Sequence, residues 1–316
     1  MVSQLRKYFV LGLSFFLALT TSKEASADHI IGSDITYTCI DTGKYKIIFN
    51  FYRDCNGCYV LGQSPKCGTS ENCNSSLTAP TSLKVKCLTN NSSLSNISLV
   101  RTGIVDITPT CRTSKSRCDQ PCNGSFPYGI EKHTFEGTVD LTTAIKNGCC
   151  RFDISVLLYV RNVGITTGQS TQSFYTSCEI DACEAPCNSS PTLSNDPVAI
   201  LCVDQPYSFN NGAIDTTNYD SISYSFAPAY QGENRRCSYS QNRTYLDPIS
   251  TYYPGALKWP YANPNASPPI GTYLDEKTGD IIFTPVTNKE IAVVVVQMTE
   301  WRKDSTGKYK KIGVTR

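Results

Sequence analysis

Lys44-Tyr-Lys-Ile-Ile-Phe-Asn-Phe-Tyr-Arg53 alternates with a period of two, placing Tyr45, Ile47, Phe49 and Phe51 on one side and Lys46, Ile48, Asn50 and Tyr52 on the other. Successive side chains of a β-strand point to opposite faces, so this is the pattern of a strand with one face in a core. The same spacing recurs outward from it. Leu83, Val85 and Cys87 alternate with Lys84 and Lys86; Phe135, Val139 and Leu141 oppose Thr134, Glu136, Thr138 and Asp140; Phe152, Ile154, Val156, Leu158 and Val160 form another stripe. Further strands are predicted at residues 198–202, 222–226, 280–284, 291–298 and 309–314. Beyond residue 27 no apolar pattern of helical period extends past about ten residues, and residues 141–146 have room for a turn or two. The fold class this predicts is all-β.

Residues 1–27 carry Arg6 and Lys7, an apolar run from Phe9 to Leu19, and Ala25-Ser-Ala27 before Asp28. This is the pattern of a cleaved signal peptide; the apolar run is shorter than the roughly 20 residues a membrane span needs. No membrane span is expected in the mature chain, which the leader sends to the exterior or the cell surface. Export places the sixteen cysteines where disulfides persist. All of them, Cys39, Cys55, Cys58, Cys67, Cys73, Cys87, Cys111, Cys118, Cys122, Cys149, Cys150, Cys178, Cys183, Cys187, Cys202 and Cys237, are expected to form disulfides, in a connectivity that spacing does not fix. Metal-like spacings exist, at Cys55/Cys58, Cys118/Cys122 and Cys178/Cys183/Cys187, but a thiolate site needs reduced sulfur.

Long polar stretches at 54–80, 109–130 and 164–196 separate the strands. Loops of this length are either functional or tied down, and the cysteines cluster in them. The Ala185-Pro-Cys-Asn-Ser-Ser-Pro191 segment marks a boundary, because a cut after Cys187 leaves fourteen cysteines before it and two after. With 316 residues and 40% hydrophobic content the chain has material for two domains, at residues 28–188 and 189–316.

Charge narrows the function. Lys plus Arg total 29 and Asp plus Glu 27; without Arg6, Lys7, Lys23 and Glu24 each sum is 26. A neutral mature chain has no global field for nucleic acid, so no nucleic-acid partner is expected. Two histidines leave little for His-based triads or zinc enzymes, and phosphate-loop, dinucleotide and Gly-x-Ser-x-Gly patterns are absent. His133, beside Lys132, reads as a surface or edge histidine. No catalytic residue is assigned. Between Tyr245 and Ile270, Tyr252, Tyr253, Trp259 and Tyr261 stand among six prolines, and such rings are candidates for stacking on a sugar or a protein partner.

Four segments in order resemble one family: HIIGSDITYTCIDTGKYKIIFNFYRDCNG (29–57), PCNGSFPYGIEKHTFEGTVDL (121–141), APCNSSPTLSNDPVAILCVDQPYSFNNGAID (185–215) and TGDIIFTPVTNKEIAVVVVQMTEWR (278–302). They resemble large secreted cell-surface proteins of gliding and related Bacteroidota that end in a gliding-motility-associated sorting domain. The resemblance implies immunoglobulin-like or related β-sandwiches, adhesion-like or structural roles, and the type IX secretion machinery as a partner. It implies no catalytic residues. Where that family runs through an oxygen-rich loop suited to calcium, this chain has Asp215, Asn218 and Asp220, a reduced set of ligands for a weak calcium site. The family's last strand continues past a motif like Ile312-Gly-Val-Thr-Arg316, so the second domain is expected to be truncated there. The expected function is a non-catalytic extracellular module that binds a glycan or protein partner. The alternative is a secreted polysaccharide-degrading enzyme or its accessory carbohydrate-binding module.

Overall fold

The computed structural model describes residues 30–55, 80–111, 113–118, 126–158, 161–162, 164–168, 170, 172–240 and 242–316. The expected leader and Cys58, Cys67, Cys73 and Cys122 lie outside them. The strands are β1 Ile30–Asp41, β2 Lys44–Asp54, β3 Ser82–Cys87, β4 Ile97–Ser98, β5 Val100–Asp106, β6 Ile130–Asp140, β7 Arg151–Leu158, β8 Phe174–Asp181, β9 Thr192–Leu193, β10 Tyr207–Phe209, β11 Ala213–Ile214, β12 Ser221–Ala227, β13 Tyr230–Gly232, β14 Arg235–Arg236, β15 Tyr273–Leu274, β16 Ile281–Phe283, β17 Val295–Lys303 and β18 Tyr309–Thr315. Among the described residues one short helix, α1, spans Thr142–Lys146, where the sequence left room for it. No helix among the described residues is long and apolar enough to cross a membrane.

A four-stranded antiparallel sheet runs in the order β1-β2-β6-β5. Its β1–β2 hairpin turns at Thr42-Gly43, where Gly43 has φ +76° and a Cβ would press on Thr142 of α1. The inward stripe of the opening decapeptide behaves as its period requires: Tyr45, Ile47, Phe49 and Phe51 are fully buried. They pack with Ile35 and Tyr37 against Leu83, Val85, Phe152, Ile154 and Ile180 of a second sheet. Each such side chain contributes about 1.5–3 kcal/mol by leaving water. The result is a β-sandwich.

The second sheet has nine strands, in the order β12-β17-β18-β8-β7-β3-β4, with β13 joined to β8 and β14 to β13. It crosses the boundary expected at residue 188, since β18 pairs with β8 through Gly313↔Ile180 and Val314↔Glu179. The two stretches expected as separate sandwiches therefore share one sheet, joined by backbone hydrogen bonds rather than by a linker alone. Two segments depart from the sequence reading. Residues 174–181 form a central strand inside an expected loop, and residues 198–202 form none. Smaller sheets, β10-β16-β15 and β11-β9, complete the C-terminal part.

Four disulfides staple the described residues: Cys39–Cys187, Cys55–Cys118, Cys87–Cys149 and Cys150–Cys183, closing sequence separations of 148, 63, 62 and 33. The expectation that all sixteen cysteines pair is corrected at Cys111, Cys178, Cys202 and Cys237, which are free. Cys178 faces inward from β8 among Phe152, Ile154 and Ile180, where it acts as a small apolar side chain and burial pushes its thiol far up. Cys237 is buried too, and its thiol is raised by that burial against the opposing pull of Arg161. Cys111 and Cys202 are exposed, with no partner sulfur among the described residues.

Candidate functional site

The aromatic and proline-rich segment divides in two. Residues 251–253 are stitched inward: Tyr252 N donates to Thr284 O at 2.9 Å and its carbonyl accepts from Gly271 N at 2.9 Å. Below them Arg243 donates to Asp247 Oδ2 (3.2 Å), Ile249 O (3.2 Å) and Ser250 Oγ (2.7 Å), while Glu290 accepts from Ser250 N (2.5 Å) and Oγ (2.8 Å). Tyr252 and Tyr253 are half-buried in this base, and burial raises the Tyr253 hydroxyl.

The other two rings face outward. Two turns, closed by Leu257 N to Pro254 O (3.2 Å) and Tyr261 N to Lys258 O (3.0 Å), present Leu257, Trp259 and Tyr261 at 41%, 42% and 45% exposure. Gly271 (φ +69°) lets this turn lie close on the base, because a Cβ there would stand 2.5 Å from Tyr261 O and 3.1 Å from the Tyr253 hydroxyl. The structure thus adds Leu257 to Trp259 and Tyr261; a search of the sequence for rings alone passes over it.

The calcium candidates share one loop, but their oxygens already have donors. Asp215 Oδ1 accepts from Thr217 N (3.0 Å) and Asn218 N (2.9 Å), and its Oδ2 from Asp220 N (2.8 Å). Asn218 Oδ1 accepts from Ser189 N (3.2 Å), and Asp220 receives Arg302 Nε (2.8 Å) and Nη2 (2.5 Å). Arg302 places its guanidinium beside Asp220, and together these bonds make the loop a self-bonded turn. One metal-like cluster, Cys55, Cys118 and Glu131, is likewise closed, since its two sulfurs are bonded to each other.

Three buried polar groupings escaped the sequence reading. Arg53 Nη1 donates to Glu131 Oε2 at 2.7 Å, and His133 Nε2 lies 3.1 Å from the same oxygen. His133 is fully buried against Phe51, which corrects its assignment to a surface or edge. On the opposite face Asp34 accepts from Tyr52 Oη (2.6 Å) and Asn50 Nδ2 (2.9 Å), and burial raises its carboxyl despite those bonds. The third surrounds Glu300, which accepts from Asn188 Nδ2 (2.7 Å) and Tyr37 Oη (3.3 Å). None of these was legible, because two join residues far apart in the chain and the Asp34 grouping depends on the register of the β1–β2 hairpin.

The arrangement closest to an enzyme's is Asp153 opposite Glu179 across β7 and β8. Burial raises Asp153; burial also acts upward on Glu179, but Lys311 and Arg316 outweigh it and lower that carboxyl. Divergent carboxyls of this sort can divide acid and base roles. Here, however, Glu179 is held by Arg151 (3.3 Å), Lys311 (2.9 Å) and Arg316 (3.2 Å), which makes it the hub of a cross-strand ion cluster. No known protein family, curated protein or solved structure matches the chain.

Proposed function

We propose that this chain is a non-catalytic extracellular module, adhesion-like or structural, that binds its partner through the turn carrying Leu257, Trp259 and Tyr261. The observation that carries this reading is the exposure of these three side chains on a turn whose base is fixed by Arg243, Glu290 and Thr284. Rings held on a rigid base offer contact area at little conformational cost. Glycan is the favoured partner, because a flat ring flanked by polar Lys258 and Asn263 suits the mixed apolar and hydroxylated face of a sugar. The four disulfides accord with an oxidising exterior, and the four resembling segments support a cell-surface place and export by the type IX machinery.

The test is the Trp259→Ala/Tyr261→Ala double variant, assayed on a panel of soluble and insoluble polysaccharides with melting temperature measured in parallel. Loss of glycan retention at unchanged melting temperature supports the proposal. Retention equal to the parent's, binding only to protein ligands, or loss of fold together with binding counts against it.

A further inference from the structure

Glu300 lies fully buried on β17 where three parts of the chain meet. The first is β1, which presents the Tyr37 hydroxyl. The second is the segment 187–190, which presents Asn188. The third is β18, where Gly313 stands directly opposite Glu300 and a Cβ would collide with both the carboxyl and the Tyr37 hydroxyl. Glu300 makes no ion pair among the described residues. Arg302, two positions along, donates instead to Asn188 Oδ1 (2.8 Å) and Asp220.

The segment 187–190 cannot leave β1. Cys187 is bonded to Cys39, Ser190 N donates to Tyr37 O (2.9 Å), and Ser190 and Ser189 hydroxyls accept from Tyr37 N (2.9 Å) and Cys39 N (3.0 Å). Any opening at this junction therefore runs between that unit and β17–β18, the strands that join the C-terminal part to β8.

We propose that Glu300 is a proton-gated latch, whose neutral carboxyl holds β1 and segment 187–190 against β17–β18 and whose ionisation loosens that joint. A neutral carboxyl fits the site with its proton on Oε1, donated to the Tyr37 hydroxyl, while Oε2 accepts from Asn188 Nδ2. A carboxylate would keep both bonds but has no cation among the described residues to balance it. It would lie buried with Tyr37 on β1, Cys178 on β8, and Asp215 and Asp220 in the loop before β12 as its titratable surroundings, and Arg302 on β17 already committed to Asp220. Burial is the main cause, hydrogen bonds from Asn188 and Tyr37 oppose it, and the two aspartates add to it, so the Glu300 carboxyl is pushed up to about 8.

A raised carboxyl favours the closed joint fully below its ordinary value of 4.5, and this contribution is lost as pH rises to about 8. Within that window each pH unit shifts the closed-to-open ratio by up to about tenfold. This latch is independent of what the aromatic turn binds.

Carbon-13 NMR of the full chain labelled at glutamate carboxyls tests it without any variant. Glu300, assigned by the resonance missing in Glu300→Gln, is expected to titrate near pH 8. Hydrogen exchange at Gly313, Val314 and Ile180, corrected for its intrinsic pH dependence, should lose protection from pH 5 to 8 in the parent and stay level in Glu300→Gln. A Glu300 resonance titrating near 4.5, or a parent whose corrected protection is level across the window, overturns the latch. If Glu300→Gln does not fold, parent spectra over the same range identify the resonance as the one glutamate carboxyl titrating above 7, and its absence overturns the proposal.

Discussion

Arg53 and Glu131 form a 2.7 Å ion pair in which the arginine side chain is fully buried and the glutamate is 8% exposed. They sit directly opposite each other on β2 and β6, at the end of a stripe that is otherwise Tyr45, Ile47, Phe49 and Phe51. The core of the sandwich thus ends in charge, closed over by the Cys55–Cys118 disulfide, with Cys55 Sγ 3.9 Å from Arg53 Nη1.

Removing one partner from such a pair leaves a buried charge uncompensated. Glu131→Gln should cost about 3–5 kcal/mol, read as a lower urea midpoint at unchanged slope. The double variant Arg53→Leu/Glu131→Leu should recover most of that loss. A double variant as unstable as the sum of the two single changes would contradict this account of the pair.

The acid side of the stability profile follows from the same pair. Burial pushes Glu131 up, but the hydrogen bond from His133 and the charge of Arg53 prevail and lower its carboxyl; Lys311 and Arg316 do likewise for Glu179. A lowered carboxyl stabilises above its ordinary value of 4.5, and that contribution is lost as pH falls through the folded value. Melting temperature should therefore fall below about pH 4 and do so less steeply in Glu131→Gln. Equal slopes would remove Glu131 from the explanation.

Gly313→Ala tests the fit around Glu300. The added methyl meets the carboxyl and the Tyr37 hydroxyl, in a core that has no slack, and should cost about 1–3 kcal/mol. Gly148→Ala is the contrast: its Cβ meets nothing within 4 Å, so its effect reports only the strain of φ +86°. Urea titration of both variants checks the difference, and a Gly313→Ala protein as stable as the parent would show that the junction is looser than described.

Much of the fold could be read from period and cysteine content, and the reasons it stopped there are physical. β2 and β3 carry an alternation that one buried face imposes. β8 is also buried at every second residue, Phe174, Thr176, Cys178 and Ile180, but two of those four are Thr and Cys rather than large apolar side chains, so no apolar stripe marks it in the sequence. The aromatic candidates were legible by type, yet what separates Tyr252 and Tyr253 from Trp259 and Tyr261 is hydrogen bonding to Thr284 and Gly271, which no local spacing encodes. The bond from Arg302 to Asp220, 82 positions before it, was likewise not encoded in the loop's own spacing.

Calcium should therefore leave the protein unmoved. Millimolar calcium and chelator are expected to give the same melting temperature, since Asp215 and Asp220 are already satisfied. A rise of several degrees on adding calcium, abolished by Asp215→Asn, would return the loop to a metal-binding role.

The most direct measurement of the central claim, an all-β scaffold held by disulfides, is a cystine map of the native protein by mass spectrometry of a non-reduced digest after blocking accessible thiols. The account predicts the cross-linked pairs Cys39–Cys187, Cys55–Cys118, Cys87–Cys149 and Cys150–Cys183, with Cys111 and Cys202 blocked in the native state and Cys178 and Cys237 blocked only after unfolding. Recovery of Cys39 and Cys187 as free thiols, or of these eight cysteines in other pairings, would contradict it.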